Sequence, residues 1–396
     1  TMSPIARWFC LSLGTFAVLV APAAADEPFS LADGDRVVLV GNTVVERAQR
    51  YGHVELALAT AFAARDVTFR NLGWSGDTVF GEARAGFDTP KEGRERLIEQ
   101  VQAARPTVLL VGYGANAAFD GVDAIPRFVE GLNSLLDTWA PLGARTVLLG
   151  PLDHENLGAP LPDPGPYNES AAKYRDAIRG IAEERGFAYV ELQAELSAVD
   201  AAGPLTDNCV HLTGDGYRAL ATALVHGLTN DDRAWRLDVD AAGATAEATA
   251  TRLSGIDGYD DRMVLRIVDA CGFGIASSSR WLRVRGLPYE RYTLVCDGRE
   301  LATASADQWA EGVRFEDGVV EERADALRAA IVEKNRLFFY RWRPQNITYL
   351  FGFRKHEQGQ NAVEVPQFDE HVAEAEAAIE AMRQPVKRTY VLRRAG

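Results

Sequence analysis

The sequence predicts a doubly wound α/β domain, a parallel sheet between helical layers, followed by a small β-rich module and a helical C-terminal segment. Three observations carry this expectation. From Arg36 to Leu228 short apolar runs alternate with longer amphipathic ones. Runs such as Val37-Val38-Leu39-Val40 and Thr107-Val108-Leu109-Leu110-Val111 are continuous, as in strands covered on both faces by helices. Beyond Asn230 the alternation of strand and helix stops. At 396 residues the chain has room for two or three domains.

In chain order, strands are predicted at 36–40, 67–72, 107–113, 146–149 and 188–192. Helical patterns lie between them at 45–63, 93–104, 124–139 and 169–185, with a last one at 215–228. In such sheets ligands sit outside the carboxyl ends of the strands, so the residues just after each strand are where chemistry is expected.

The β-rich module spans 231–320. Its clearest signal is a hairpin: apolar residues at 292–296, the turn Asp297-Gly298, and a return strand at 300–303, with a further strand at 281–284. The Ala/Thr-rich stretch 241–251 reads as a loop. From 321 to 396 the pattern is helical, broken at Arg343-Pro344 and resuming over 369–382. The aromatic density of 337–353 points to packing against another domain; a sugar-stacking surface is the sharper alternative.

Composition bounds the function. Lys and Arg total 42 against 56 Asp and Glu, a net charge of −14, which disfavours nucleic acid and anionic membrane faces as partners. Residues 1–25 read as a secretory signal: Arg7, then an apolar stretch from Trp8 to Val20, then Ala23-Ala24-Ala25. Pro22 interrupts the run before it reaches spanning length, so the exported product is expected to be no integral membrane protein and to reside in a periplasm or outside the cell. Of the cysteines after the signal, Cys209, Cys271 and Cys296, at most one pair can bridge; Cys271 with Cys296 is the candidate, and three buried thiols are the simpler reading. The six histidines show no metal-ligand spacing, and neither metal nor organic cofactor is expected.

Chemistry is concentrated at the strand ends. The first strand ends in Gly41-Asn42-Thr43, the second in Asn71-Leu72-Gly73-Trp74-Ser75-Gly76-Asp77-Thr78 and the third in Gly112-Tyr113-Gly114-Ala115-Asn116, and Asp207-Asn208-Cys209-Val210-His211 precedes the last helix. In order and position these blocks resemble the SGNH hydrolases, the GDSL-type esterase family, over about residues 35–228. The resemblance implies a flavodoxin-like three-layer fold and metal-free hydrolysis of carboxylic esters. Residue by residue it implies Thr43 as nucleophile, Gly76 and Asn116 as oxyanion donors and His211 as general base. A hydroxyl must lose its proton to an imidazole, and N–H groups must receive the developing oxyanion.

The chain departs from the family pattern at three places. Thr43 stands where the family has serine, Asn42 where it has aspartate, and Asn208 where an aspartate orients the histidine, with Asp207 one step earlier. A threonine there either attacks or merely caps the following helix. Asn42, Trp74, Tyr113 and His154 are the candidate substrate-binding residues; Trp74 and Tyr113 either wall the pocket or pack in the core. His154 and Glu155 open a Pro/Gly-rich loop at 158–166 on the ligand side of the sheet. The expected function is hydrolysis of a small-molecule or glycan ester, such as an acyl or acetyl group on carbohydrate, through an acyl-enzyme. The alternative is a binding protein for a carbohydrate or protein ligand that keeps the scaffold and has lost the nucleophile.

Overall fold

The computed structural model describes residues 28–395 apart from 202, 231–234, 243–244, 250, 260, 270–278 and 358–360. The expected signal at 1–25 and Cys271 lie outside the described residues, so the Cys271–Cys296 pairing does too. Cys209 and Cys296 are both buried.

The first half runs β1 (Asp35–Gly41), α1 (Thr43–Tyr51), α2 (His53–Ala61), β2 (Val67–Asn71), α3 (Pro90–Ala104), β3 (Val108–Gly112), α4 (Ile125–Trp139), β4 (Arg145–Leu149), α5 (Gly165–Arg185), β5 (Ala188–Val190), α6 (Leu192–Ser197) and α7 (Gly214–Thr229). The strands form one parallel sheet in the order β2-β1-β3-β4-β5. Alternate residues of β1 feed two separate cores. Val37 and Leu39 pack with α2 and α7, whereas Val38 and Val40 pack with α3, α4 and α5. This is the doubly wound sheet that continuous apolar runs demand. The single helix expected over 45–63 is two helices, because Gly52 adopts φ +73°, caps α1 and restarts the chain as α2.

The second half adds β6 (Arg236–Asp240), β7 (Thr245–Thr249), β8 (Arg252–Gly258), β9 (Arg262–Asp269), β10 (Ser279–Arg285), β11 (Arg291–Cys296), β12 (Arg299–Ser305), α8 (Ala306–Glu311), β13 (Val313–Glu316), α9 (Gly318–Trp342), α10 (Ile347–Leu350), α11 (Phe368–Arg383) and β14 (Val386–Arg394). The strands make two sheets, β13-β10-β6-β7 and β12-β11-β14-β9-β8. They share one core around Leu237, Leu265, Leu282, Leu294, Trp309 and Leu392.

Two expectations are corrected here. Part of the 241–251 stretch is not loop but strand β7, paired with β6. The segment 321–396 is not helical throughout, since β14 inserts between β11 and β9. Its inward alternation is masked in the sequence because an inward position holds Arg388, buried at 5% exposure and paired with Asp317 and Asp297, where an apolar residue would ordinarily stand.

Helices α9 and α11 lie on the α/β domain. Phe338 and Val372 enter the core beside the sheet. Lys334 reaches Glu55 of α2 at 2.7 Å, and Arg70 at the end of β2 pairs with Glu376. Of the aromatic-rich stretch, Phe338 packs as expected of an interdomain contact while Phe351 and Phe353 remain exposed. No helix among the described residues is long and apolar enough to cross a membrane.

Candidate active site

The carboxyl ends of β1, β3 and β4 open onto one cleft of about 180 Å³, lined among others by Asn42, Thr43, Asn116, His154, Glu155 and His211. Sequence order thus becomes spatial order, as the position of a crevice at strand ends requires.

Thr43 is the first residue of α1, and the cap of that helix is Asn42, whose Oδ1 accepts from Val44 N–H at 3.2 Å. Capping is therefore done by Asn42, which leaves the Thr43 hydroxyl free to face the cleft. The Gly76 N–H donates to Thr43 Oγ1 at 3.3 Å. Gly76 has φ +77°, and a side chain placed there would come within 4.0 Å of Asn116 Nδ2. The Gly76 N–H thus reaches the Thr43 oxygen, and Asn116 lines the same cleft close to Gly76, so both donors are near the place where the oxygen of a carbonyl bonded to Thr43 would gather charge.

The loop that carries Gly76 is held from below. Gly73 crosses α1 so closely that a Cβ would lie 2.2 Å from Glu46 N. Asn71 bonds the Val45 carbonyl at 2.7 Å and accepts from Gly73 N–H at 2.9 Å. Glu46, buried on α1, accepts from Ser75 N–H and from Arg343 beyond α9. Asp77 is fully buried and receives Arg84 Nε at 2.8 Å and the Tyr113 hydroxyl at 3.0 Å. Burial pushes the Asp77 carboxyl up, against the pull of Arg84 and Tyr113.

His211 is held by Asn208. The Asn208 Oδ1 accepts backbone N–H groups of Val210 at 3.2 Å and His211 at 2.8 Å, which fixes the orientation of the amide. Its Nδ2 therefore faces His211 Nδ1 at 2.9 Å. An amide nitrogen only donates, so Nδ1 accepts and the neutral ring carries its proton on Nε2. Of the two candidates for orienting the ring, Asn208 and Asp207, it is Asn208 that meets Nδ1, and Asp207 is exposed. The whole loop is pinned by Glu155, whose carboxylate accepts from Leu205 N–H, Thr206 N–H and the Thr206 hydroxyl at 2.6–3.1 Å. Cys209 is buried with φ +71°, turned away from the cleft.

His154 forms part of an aromatic wall. Its ring stacks on Tyr167 at 3.6 Å and 7°, with Phe119 5.5 Å away at the rim. Asn168 clamps its backbone at N–H and carbonyl. Burial lowers the His154 pKa, with neighbouring His211 acting the same way.

Two predicted substrate-binding residues do not face this cleft. Tyr113 is 2% exposed and spends its hydroxyl on Asp77. Trp74 meets Trp342 edge-on and has the Arg343 guanidinium over its face. Both are packing aromatics. Sequence reasoning missed the supporting residues Glu46, Arg84 and Arg343, which no local pattern distinguishes from ordinary surface charge. Among the described residues no cluster of His, Cys, Asp or Glu is spaced to hold a metal.

Comparison with known proteins gives three results. Residues 30–219 match the GDSL-like lipase/acylhydrolase family. No curated protein matches the chain. Among solved structures, a gut microbial diltiazem-metabolizing enzyme, BT4096, is similar over 94% of this chain and all of its own, at 16% identity and a TM-score of 0.68, which indicates a shared fold extending through both halves. Axe2, an acetylxylan esterase from Geobacillus stearothermophilus studied as a catalytic mutant, aligns with 50% of this chain and 95% of its own at 20% identity and a TM-score of 0.40. With its parallel sheet and the blocks at its strand ends, the α/β half of this chain belongs to the GDSL-like lipase/acylhydrolase family, the SGNH hydrolases, and is a hydrolase acting on ester bonds.

Proposed function

We propose that Thr43 is the nucleophile of a slow carboxylic-ester hydrolase acting on acylated carbohydrate or a comparable small ester. The observation that carries this is the Thr43 hydroxyl held at the Gly76 N–H in the cleft that Asn116 and His211 also line. In the reaction Thr43 Oγ1 bonds to the ester carbonyl carbon and its proton passes to His211. The carbonyl oxygen takes negative charge at Gly76 and Asn116. Collapse expels the alcohol, which takes that proton back, and water then cleaves the threonyl ester by the reverse route. The aromatic wall of Phe119, His154 and Tyr167 supports a sugar ring or an acyl group as the bound moiety.

Two features make it slow. The Thr43 methyl restricts χ1 and crowds the attack. His211 Nε2 must accept a proton, yet the Asn208 amide favours the tautomer in which Nε2 already holds one. In a serine-protease triad the corresponding change lowers turnover about 10,000-fold, in part through this tautomer. The same hydrogen bond is the observation that favours the second reading, a binding protein on a hydrolase scaffold. Release of acetate and p-nitrophenol from short-chain esters, measured beside Thr43→Ala and His211→Ala, separates the two. Activity lost in both variants supports the threonyl mechanism, and activity unchanged by both overturns it. We also propose that residues 1–25 are a removable signal, placing the mature chain in a periplasm or outside the cell; intact-mass analysis of exported protein, with a start at Asp26, tests this.

A further inference from the structure

We infer that Arg47 forms an anion subsite in the same cleft, so that the preferred ester carries a carboxylate. The inference rests on the ester-hydrolase reading for its reaction, although not for its binding. Arg47 lies one turn after Thr43 on α1 and lines the cleft with it. Residues four apart on a helix lie about 6 Å apart at Cβ, so Arg47 stands beside the nucleophile on the face of α1 that lines the cleft.

The charges around Arg47 leave it uncompensated. Its hydrogen-bond partner is the Tyr217 hydroxyl, which itself donates to the Val44 carbonyl at 2.9 Å. The Nε of Arg47 is buried with no hydrogen-bond partner. The cleft holds two carboxylates, and both are engaged elsewhere: Asp153 with Arg175 at 2.6 Å, and Glu155 with the Leu205 and Thr206 donors. Arg47 is paired with no carboxylate among the described residues. A guanidinium in a half-closed site without an acidic partner is stabilised by an incoming anion, and its planar fork matches a carboxylate with two parallel hydrogen bonds. A monoanionic carboxylate fits better than a phosphate dianion, because the second charge would meet Asp153 and Glu155 across the cleft.

The test uses one pair of ligands for binding and one for turnover. Calorimetry on the purified chain compares 4-acetamidobenzoate with 4-acetamidobenzamide, which differ in one charge and contain no ester. Turnover compares 4-acetoxybenzoate with 4-acetoxybenzamide. The expected result is a preference of about tenfold or more for the acid in both pairs, weakened by salt. Arg47→Gln abolishes the preference and Arg47→Lys keeps part of it, each variant being checked for a native melting transition. Equal affinity for the two analogues, or a preference that survives in Arg47→Gln, overturns the subsite. If neither ester is cleaved but the acid binds through Arg47, the hydrolase reading fails and the subsite stands. If both esters are cleaved at Thr43 without preference, the subsite fails and the hydrolase reading stands.

Discussion

The guanidinium carbon of Arg343 lies 3.4 Å from the centre of the Trp74 ring, and its Nη1 donates to Glu46 at 3.0 Å. Glu46 in turn accepts the Ser75 N–H, one residue before Gly76, the proposed oxyanion donor. A residue at the end of α9 thus braces the loop that carries Gly76. Arg343→Ala removes a cation–π contact and a charged hydrogen bond at once, leaving Glu46 buried with less compensation. The expected effect is a loss of about ten- to hundredfold in kcat with KM nearly unchanged, because misplacing a donor by a fraction of an ångström weakens the transition state more than the ground state. Arg343→Lys restores only part of it, since an ammonium cannot stack as a plane. A purely structural role would instead lower the melting temperature and leave kcat per folded molecule constant.

Asn208→Asp should raise ester hydrolysis by about 100-fold or more. One carboxylate oxygen would keep accepting the Val210 and His211 N–H groups, and the other would accept Nδ1–H. That shifts the ring to the tautomer whose Nε2 is free to take the Thr43 proton. Nitrogen-15 shifts of the His211 ring check the cause directly: the parent should show Nε2–H and the variant Nδ1–H. A parent already in the Nδ1–H form, or a variant no faster than the parent, sinks the argument. Adding Thr43→Ser should give a further gain that is not additive, because both changes act on one proton transfer.

The parallel sheet, the strand-end blocks and most helices of the first half were legible because each depends on local pattern: apolar runs, amphipathic periodicity, and residues just after a strand. Gly52 was legible only as a glycine, since nothing local says that it divides a helix. The supports of the site were hidden for a different reason. Glu46 meets Ser75 and Arg343 across separations of 29 and 297 residues, and Lys334 meets Glu55 across 279. Burial of a charge by a distant partner leaves no periodic trace. The same holds for Arg388, whose inward position in β14 reads as polar until Asp317 is placed beside it. Tyr113 and Trp74 neighbour Asn116 and Gly76 along the chain, but which way a side chain turns is decided by Asp77 and Trp342, which come from other elements.

Lys334 ties α9 to the α/β domain through Glu55, and it also donates to the Phe69 carbonyl and to Asn335. Burial pushes the Lys334 pKa down and the Glu55 pKa up, and each charge offsets the other. Lys334→Met leaves an unpaired buried carboxylate and should destabilise the chain by about 3–5 kcal/mol in denaturant unfolding. Adding Glu55→Gln removes the orphaned charge and should recover much of the loss. If the double variant is no better than the single one, the destabilisation comes from lost packing rather than from the charge.

His53 gives the stability a pH dependence whose sign is fixed by its surroundings. It opens α2, where burial is the largest influence and the nearby cations Arg328 and Arg218 act in the same direction, lowering its pKa from 6.5 to about 4. The folded state therefore holds the ring neutral over a range in which the unfolded chain protonates it. Where the unfolded state binds more protons, stability rises with pH. The contribution is complete above about pH 6.5 and is lost as the pH falls from 6.5 toward 4. For a ring that keeps some contact with solvent, screening reduces it to the order of 1–2 kcal/mol. His53→Gln cannot take up a proton, so its melting temperature should fall less than that of the parent between pH 7 and pH 4.5, whatever the carboxylates common to both do. Parallel curves for the two proteins would mean that His53 is solvated well enough to titrate alike in both states.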